Sequence, residues 1–387
     1  MASNTCNIAI ENVLSHGKAL LKFISPNDVG TTGSHQCGFY LPKSAWKLFT
    51  PNPPIKGQNS KSPAIIKWQD ERVTQSCVTW YGEKTRSEYR LTRFGSDFPW
   101  LKEDNVGNLF VLVPTDNSNF LAFVLDLEED IEEIQATLGI ELYDNWAVYA
   151  EGVVSAKPSD CIDRCFHAFV DSLKTFPSTM VFSQKTLEAI TTCEKTFQDF
   201  IIDDQLMTLI ESEYKLFRLA EQKLCKSDIS RRFESVGEFL EVASTIMNRR
   251  KTRAGRSLEN HVAYLLKQAS IPFDLRPSID GKVQPDILIP GKKQYIDPAY
   301  PVNKLYVIGI KRTCKDRWRQ VLSEAKRIPT KHILTVQPAI SVAQLKEMHE
   351  KHVNLIIPKR LQMDYPTTVI TMLDLKTFVD SVHKVLA

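Results

Sequence analysis

Two carboxylates and an amine mark where this chain could do chemistry: Asp286, Lys311 and Glu324. Hydrolysis of a phosphodiester needs charge neutralisation on the phosphate, an in-line water, and a group that protonates or stabilises the leaving oxygen. Carboxylates that hold a divalent cation such as Mg2+, together with a lysine, provide those parts. Asp286 follows Pro285 and opens an apolar run, while Lys311 closes another. Each therefore stands where a side chain can leave a sheet for a cleft. Glu259, in the helix-like stretch 257–266, is a fourth candidate member.

The elements that must position these groups follow from the apolar spacing. Residues 305–310 form the short, nearly continuous apolar run of a buried strand. After Lys311, the residues Trp318, Val321, Leu322, Ala325 and Ile328 recur at helical spacing until Pro329, which predicts a helix that carries Glu324. Ile287, Leu288 and Ile289, closed by Pro290 and Gly291, predict a second strand able to set Asp286 beside Lys311. A PD…(D/E)xK nuclease usually carries its second carboxylate two residues before the lysine. That position is Gly309, which cannot bind a metal, so Glu324 is the candidate replacement. Counted along a helix from Lys315, Glu324 lies roughly 13–14 Å up the axis at about 1.5 Å per residue. The helix would then have to lean across the strand ends.

Lys315, Asp316 and Arg317 share this turn. Lys and Arg can donate to guanine O6 and N7 and Asp can accept from cytosine N4, so the triplet suits adjacent G·C pairs in a major groove. The alternative is a helix start capped by Thr313, with Asp316 in a capping box and solvated cations. A net charge of +3 says little about partners, but its distribution says more. Five cations fall within 249–256, among them Arg249, Arg250 and Arg253, and nine Lys or Arg fall within 304–331. Such stripes suit a polyanion, with a solvated charge run as the alternative. The acidic stretch 126–133 reads as a solvated helix start.

Taken together, residues 248–259, Gln284-Pro285-Asp286, residues 310–320 and Glu324 resemble the EcoRII family of restriction endonucleases. The twelve residues between Lys311 and Glu324 are similar to the spacing in CCGG- and CCNGG-cutting enzymes, whose metal-binding glutamate sits on the helix. The resemblance implies that Asp286, Lys311 and Glu324 are catalytic, with Asp286 and Glu324 holding Mg2+ and Glu259 as an accessory acid. It implies that Lys315, Asp316 and Arg317 read the CC:GG pairs. It sets Tyr295 near the active site, with a buried structural tyrosine as the alternative. It further implies a homodimer cutting double-stranded DNA at a palindromic CCWGG-type site, before the first C with a 5′ overhang, extruding the central bases, with no nucleotide cofactor. The opposing class is a catalytically inactive, sequence-specific DNA-binding regulator.

The resemblance extends to the N-terminal part. Residues 25–36 and 82–93 look like the two DNA-gripping arms of that family's effector domain, a β-pseudobarrel related to the DNA-binding domain of plant transcription factors. Effector contacts map onto Lys84, Arg86, Glu88 and Arg90, with His35 and Gln36 on the first arm. Two positions depart from the pattern: the Thr79-Trp80 region replaces an expected basic residue, and Tyr89 stands where a lysine would.

Composition agrees with two domains. A chain of 387 residues exceeds the usual single core, and ten of its 15 glycines precede residue 156, punctuating strand-like runs such as 109–113 and 120–125. The expected organisation is an all-β effector domain over 1–155, a hinge over 156–175, and an α/β restriction-endonuclease-like catalytic domain of the PD-(D/E)xK type over 176–387. In the last, 332–336 and 353–357 read as strands and 341–351 as an amphipathic helix. No apolar run is long enough to cross a membrane, and the first residues lack the regions of a signal peptide, so the expectation is a cytoplasmic protein of a prokaryote. Free thiols are then the default for the eight cysteines. Cys161, Cys165 and His167 are too few partners for a zinc site.

Overall fold

The computed structural model describes residues 2–31, 37–116, 118–151, 160–281, 283–365 and 372–386. It divides into two units: one holds 1–153, 337–347 and 363–370, the other the rest of the chain.

The first unit is built by α1 (Asn4–His16), β1 (Lys18–Phe23), β2 (Phe39–Leu41), β3 (Ser60–Trp68), β4 (Val73–Tyr81), β5 (Glu88–Thr92), β6 (Leu109–Pro114), β7 (Asn119–Leu125), α2 (Glu128–Leu138) and β8 (Trp146–Ala150). The strands form one sheet in the order β2-β5-β4-β3-β7-β6-β1-β8, antiparallel except for β3 beside β7. Period-two alternation gives the sheet its two faces. In β3, Ala64, Ile66 and Trp68 turn inward to meet Leu20, Phe39, Val78, Leu91, Phe110 and Phe120. Aromatic stacking fixes that core, with the Phe39 and Phe110 rings 4.1 Å apart. The opposite face, Ala19, Leu21, Leu109, Val111 and Phe123, is covered by apolar residues of α1 and α2.

The acidic helix α2 differs from the solvated one expected. Glu128 and Asp130 are buried. Asp130 accepts from Ser3 N at 2.8 Å and from Ser3 Oγ at 2.5 Å, so this carboxylate ties down the start of α1.

The second unit opens with a helical layer: α3 (Cys161–Ser172), α4 (Thr179–Cys193), α5 (Ile202–Leu224), α6 (Lys226–Ser230) and α7 (Val236–Gln268). Helix α3 occupies most of the interval read as a hinge. Its Phe166 and Val170 pack with Phe182, Leu216 and Phe217 of α4 and α5. Cys161 and Cys193 are joined by a disulfide, which corrects the expectation of free thiols throughout. The partners lie 32 residues apart, so only helix packing brings them together.

The sheet follows with β9 (Asp274–Leu275), β10 (Ile287–Ile289), α8 (Lys292–Ile296), β11 (Tyr306–Lys311), α9 (Trp318–Val321), β12 (Lys331–Thr335), then, after α10 (Val342–Glu350), most of which falls in the segment counted with the first unit, β13 (Val353–Ile356), β14 (Met372–Leu373) and α11 (Leu375–Leu386). The strand order is β14-β13-β12-β11-β10-β9. Strands β11 to β14 run parallel, while β10 pairs antiparallel with both β11 and β9. The antiparallel β10–β11 pair, with Ile287 opposite Ile308, sets the beginning of one strand beside the end of the other.

Candidate active site

Pairing of β10 with β11 brings Asp286 to Lys311, as the apolar runs predicted. Asp286 Oδ2 accepts from Ile310 N at 2.7 Å and lies 3.4 Å from Lys311 Nζ, with both side chains roughly four-fifths buried (17% and 19% exposed). A backbone donor and an ammonium on one oxygen fix the position of this carboxylate.

Gly309 explains why the usual second carboxylate is missing. Gly309 faces α9, and a Cβ there would lie 2.4 Å from Val321 Cγ2. The strand and the short helix meet at that point, so no side chain fits. Gly309→Ala is expected to cost about 1–3 kcal/mol, the ordinary penalty for overpacking a core. Val321→Ala in the same chain should restore part of it. Chemical denaturation of the two single variants and the double variant measures the coupling, and additive losses would refute the contact.

The helix that was to carry Glu324 is shorter than its periodicity predicts: α9 ends at Val321, and Glu324 lies in the turn beyond it. Ala325 has φ 45°, a left-handed conformation that an alanine adopts only where its surroundings enforce it. Two groups do so. Lys331, buried on β12, donates to the carbonyls of Glu324 (2.6 Å), Ala325 (2.8 Å) and Ile328 (2.6 Å). Asp280 accepts from Lys326 N at 2.9 Å and from the Tyr295 hydroxyl at 2.6 Å. The turn thus replaces the leaning helix as the means of bringing Glu324 to the cleft.

Burial pushes the Glu324 carboxyl up to about 7, and the negative charge of Asp286 adds to this, while Lys311 and Lys331 pull it down. Its Oε2 is buried without a hydrogen-bond partner. Two mutually repelling carboxylates, one with an unsatisfied oxygen, fit a shared divalent cation, whose charge would offset both the repulsion and the desolvation.

Tyr295 serves the turn rather than the reacting atoms. Its ring is in the apolar cluster with Leu288, Val307 and Ile328, and its hydroxyl accepts from Arg327 N at 3.2 Å while donating to Asp280. Burial and that hydrogen bond push its pKa to about 12, so it stays a neutral phenol. The structural alternative for this tyrosine is the one observed. Glu259 pairs with Arg256 (3.3 Å) and with Arg276, whose backbone N donates to Asp286 O at 3.1 Å. It therefore reaches the site through Arg276.

The basic stripes divide on folding. Arg250 makes two hydrogen bonds to Glu221 (2.7 and 3.0 Å), and Arg253 is buried over the Tyr214 and Phe217 rings. Arg249 lies 3.6 Å over the Phe176 ring. These three brace the helical layer. Arg327 likewise donates to backbone carbonyls of residues 294, 295, 297, 298 and 300. In the turn between β11 and α9, Lys315 is buried, Arg317 half-buried and Asp316 exposed, 3.5 Å from Arg319 Nη1. The helix starts at Trp318 with Arg317 as its N-cap residue, so Thr313 does not occupy the cap position.

In the first unit, Lys84 and Arg86 are exposed in the turn between β4 and β5. Lys84 has φ 53°, and the Arg86 guanidinium lies 5.4 Å from the Tyr81 ring centroid. Glu88 and Arg90 follow on β5 as an ion pair at 3.4 Å, with Arg90 largely buried. The departures at Trp80 and Tyr89 are core residues with rings 4.8 Å apart, which is why neither is basic. His35 and Gln36 lie outside the described residues.

Sequence reasoning missed Lys331, Asp280 and Arg276. Lys331 looked like one more member of a basic stripe, and nothing in the local pattern of the other two marks a partner so distant in sequence.

Comparison with known proteins gives the family of the chain. A family model described as "EcoRII C terminal" matches residues 217–379, and one described as "Restriction endonuclease EcoRII, N-terminal" matches residues 15–142. The type II restriction enzyme EcoRII of Escherichia coli is 31% identical over 392 residues, covering 94% of this chain and 92% of that protein. Among solved structures, metal-depleted Ecl18kI in complex with uncleaved, modified DNA has TM-score 0.48 and 18% identity over 57% of this chain and 83% of its own. The PspGI–substrate DNA complex has TM-score 0.46 and 13% identity over 55% and 93%. With both of its halves matched in order and a full-length relative 31% identical, this two-domain chain belongs to the EcoRII family and is a type II site-specific deoxyribonuclease.

Proposed function

We propose that this endonuclease cuts double-stranded DNA at a short palindromic CCWGG-like site, before the first C, in a Mg2+-dependent reaction without a nucleotide cofactor. The observation that carries this is the pairing of Asp286 with Lys311 beside a half-buried Glu324 whose buried Oε2 has no hydrogen-bond partner among the described residues. Asp286 and Glu324 would hold the cation. When bound, Mg2+ supplies charge neutralisation on the scissile phosphate and a more acidic water. Lys311, at the end of β11, presents its ammonium to a non-bridging phosphate oxygen and supports charge that builds up on phosphorus. Asp286, fixed by Ile310 N, holds that ammonium in place. With burial holding its carboxyl near 7, Glu324 is about half protonated at neutral pH, and a bound cation would favour its ionised form. Lys315, Asp316 and Arg317, on the turn that leaves the same strand, would read the C·G pairs on either side of the extruded centre.

A digest of a sequenced genome with and without Mg2+, followed by mapping of the ends, tests this reading. Ends clustered at one palindrome with 5′ overhangs are expected only with the metal. Scattered ends, or equal cutting in a chelator, would overturn it.

The enzyme would act as a twofold homodimer, one site per strand. An exposed apolar surface supports this: Ile229 near the end of α6 and Val236, Phe239 and Leu240 in the first turns of α7 are 67%, 74%, 50% and 55% exposed. Burying such a face against a second copy is favourable by roughly 25 cal/mol per Å2 of apolar surface. Phe239→Asp with Leu240→Asp is therefore expected to yield monomers by sedimentation, with DNA nicked in one strand or uncut. An unchanged dimer would assign the interface elsewhere.

The first unit would be the β-pseudobarrel that binds a second, effector copy of the DNA and restrains the nuclease until it does. Lys84 and Arg86 at its exposed turn would grip that duplex, with Glu88 and Arg90 behind them and His35 and Gln36 on the first arm.

A further inference from the structure

Cys165 is the residue that the nuclease chemistry leaves unexplained. Its Sγ lies 3.8 Å from Cys193 Sγ, and the Sγ atoms of Cys161, Cys165 and Cys193 all fall within 4.8 Å of one another. Cys161 and Cys165 are one helical turn apart at the start of α3, and Cys193 is the last residue of α4. None of the three is fully buried. A disulfide needs only two sulfurs. The third, on the same side of the helix pair, is what a metal site adds.

We propose that, once the disulfide is reduced, these three cysteines form a binding site for a thiophilic d10 cation such as Zn2+, with its fourth position open. Four thiolates around zinc at about 2.3 Å would place sulfurs roughly 3.8 Å apart, which is the Cys165–Cys193 separation. The helix ends suit the charges: the first turn of α3 favours thiolates, and the carbonyls ending α4 favour a cation. No His, Asp or Glu among the described residues joins the three sulfurs within that distance. The fourth place is thus left to water or an added thiol. Conversion of one form to the other needs a thiol reductant. Two RSH reduce the Cys161–Cys193 bond and leave as RSSR, giving two thiols. Binding of the cation by three thiolates then releases three protons. In either form α3 stays fastened to α4.

The sequence spacing around Cys165 discouraged a zinc site because Cys193 cannot be seen from it. The test uses the full-length protein reduced anaerobically with a phosphine, stripped with a chelator and titrated with Co2+. Cobalt bound to thiolates has charge-transfer and intense d–d bands that carboxylate-bound cobalt at Asp286 and Glu324 does not. One equivalent per chain, displaced by Zn2+, is expected. Cys165→Ser should lower the affinity at least tenfold while still forming the Cys161–Cys193 bond under oxidation and cutting DNA normally, which shows that it folds. No thiolate bands in the reduced wild-type protein, or equal bands in Cys165→Ser, would overturn the site and leave a disulfide with an incidental neighbour.

Discussion

Asp286→Asn and Lys311→Ala are expected to lower the rate of DNA cleavage by on the order of 10²–10³-fold or more, the usual loss when a preorganised charge at a reacting centre is removed. Specific binding should survive in both. Asparagine keeps an oxygen that can accept from Ile310 N, so the β10–β11 junction stays formed while the charge that holds a cation is gone. Lys311 is at the strand end, and its loss removes an ammonium from the cleft without touching the core. The measurement is single-turnover cleavage of a cognate duplex beside equilibrium binding to the same duplex in Ca2+. Cutting at near wild-type rate in either variant would remove that residue from the active site. Loss of binding in step with cutting would mean that it supports the fold.

The second large effect concerns restraint by the first unit. A fragment over 160–387 should cut DNA with a single site faster than the full chain, by roughly the 5–150-fold typical of coupling between two sites. The structure moves the start of that fragment from residue 176 to 160, because α3 packs into the helical layer and is linked to Cys193. In the full chain, Arg86→Ala should lose stimulation by an added cognate oligonucleotide and keep its basal rate, since an effector can shift an equilibrium only through tighter binding to one state. Initial rates on one-site and two-site plasmids, for all three proteins, decide the matter. A well-folded fragment that is slower than the full chain would make the first unit part of the cutting complex instead of its restraint.

The sequence by itself determined the strands that matter most. Ile287–Ile289 and 305–310 are apolar runs bounded by a proline and by Lys311, and a buried strand needs nothing more to be legible. It marked Asp286 and Lys311 as neighbours if their strands pair, and the antiparallel β10–β11 pairing makes them so. It also determined the strand-rich character of the first 150 residues through its glycines and alternation, though not the helix α1 that covers one face of the sheet. Tertiary structure decided the rest. A helical periodicity over 318–328 ends at Val321, because Lys331, placed by β12, and Asp280, 46 residues away from Lys326, hold the next residues in a turn. Arg250, Arg253, Arg327 and Lys331 read as a polyanion surface, yet each found a carboxylate, a ring or a set of carbonyls inside the fold. Cys193 joined Cys161 and Cys165 through the packing of two helices. The reason is common to all three. Strand formation and charge type are local properties of a residue and its neighbours, whereas the partner of a buried cation or thiol is chosen by contacts between segments far apart in sequence, which local spacing does not encode.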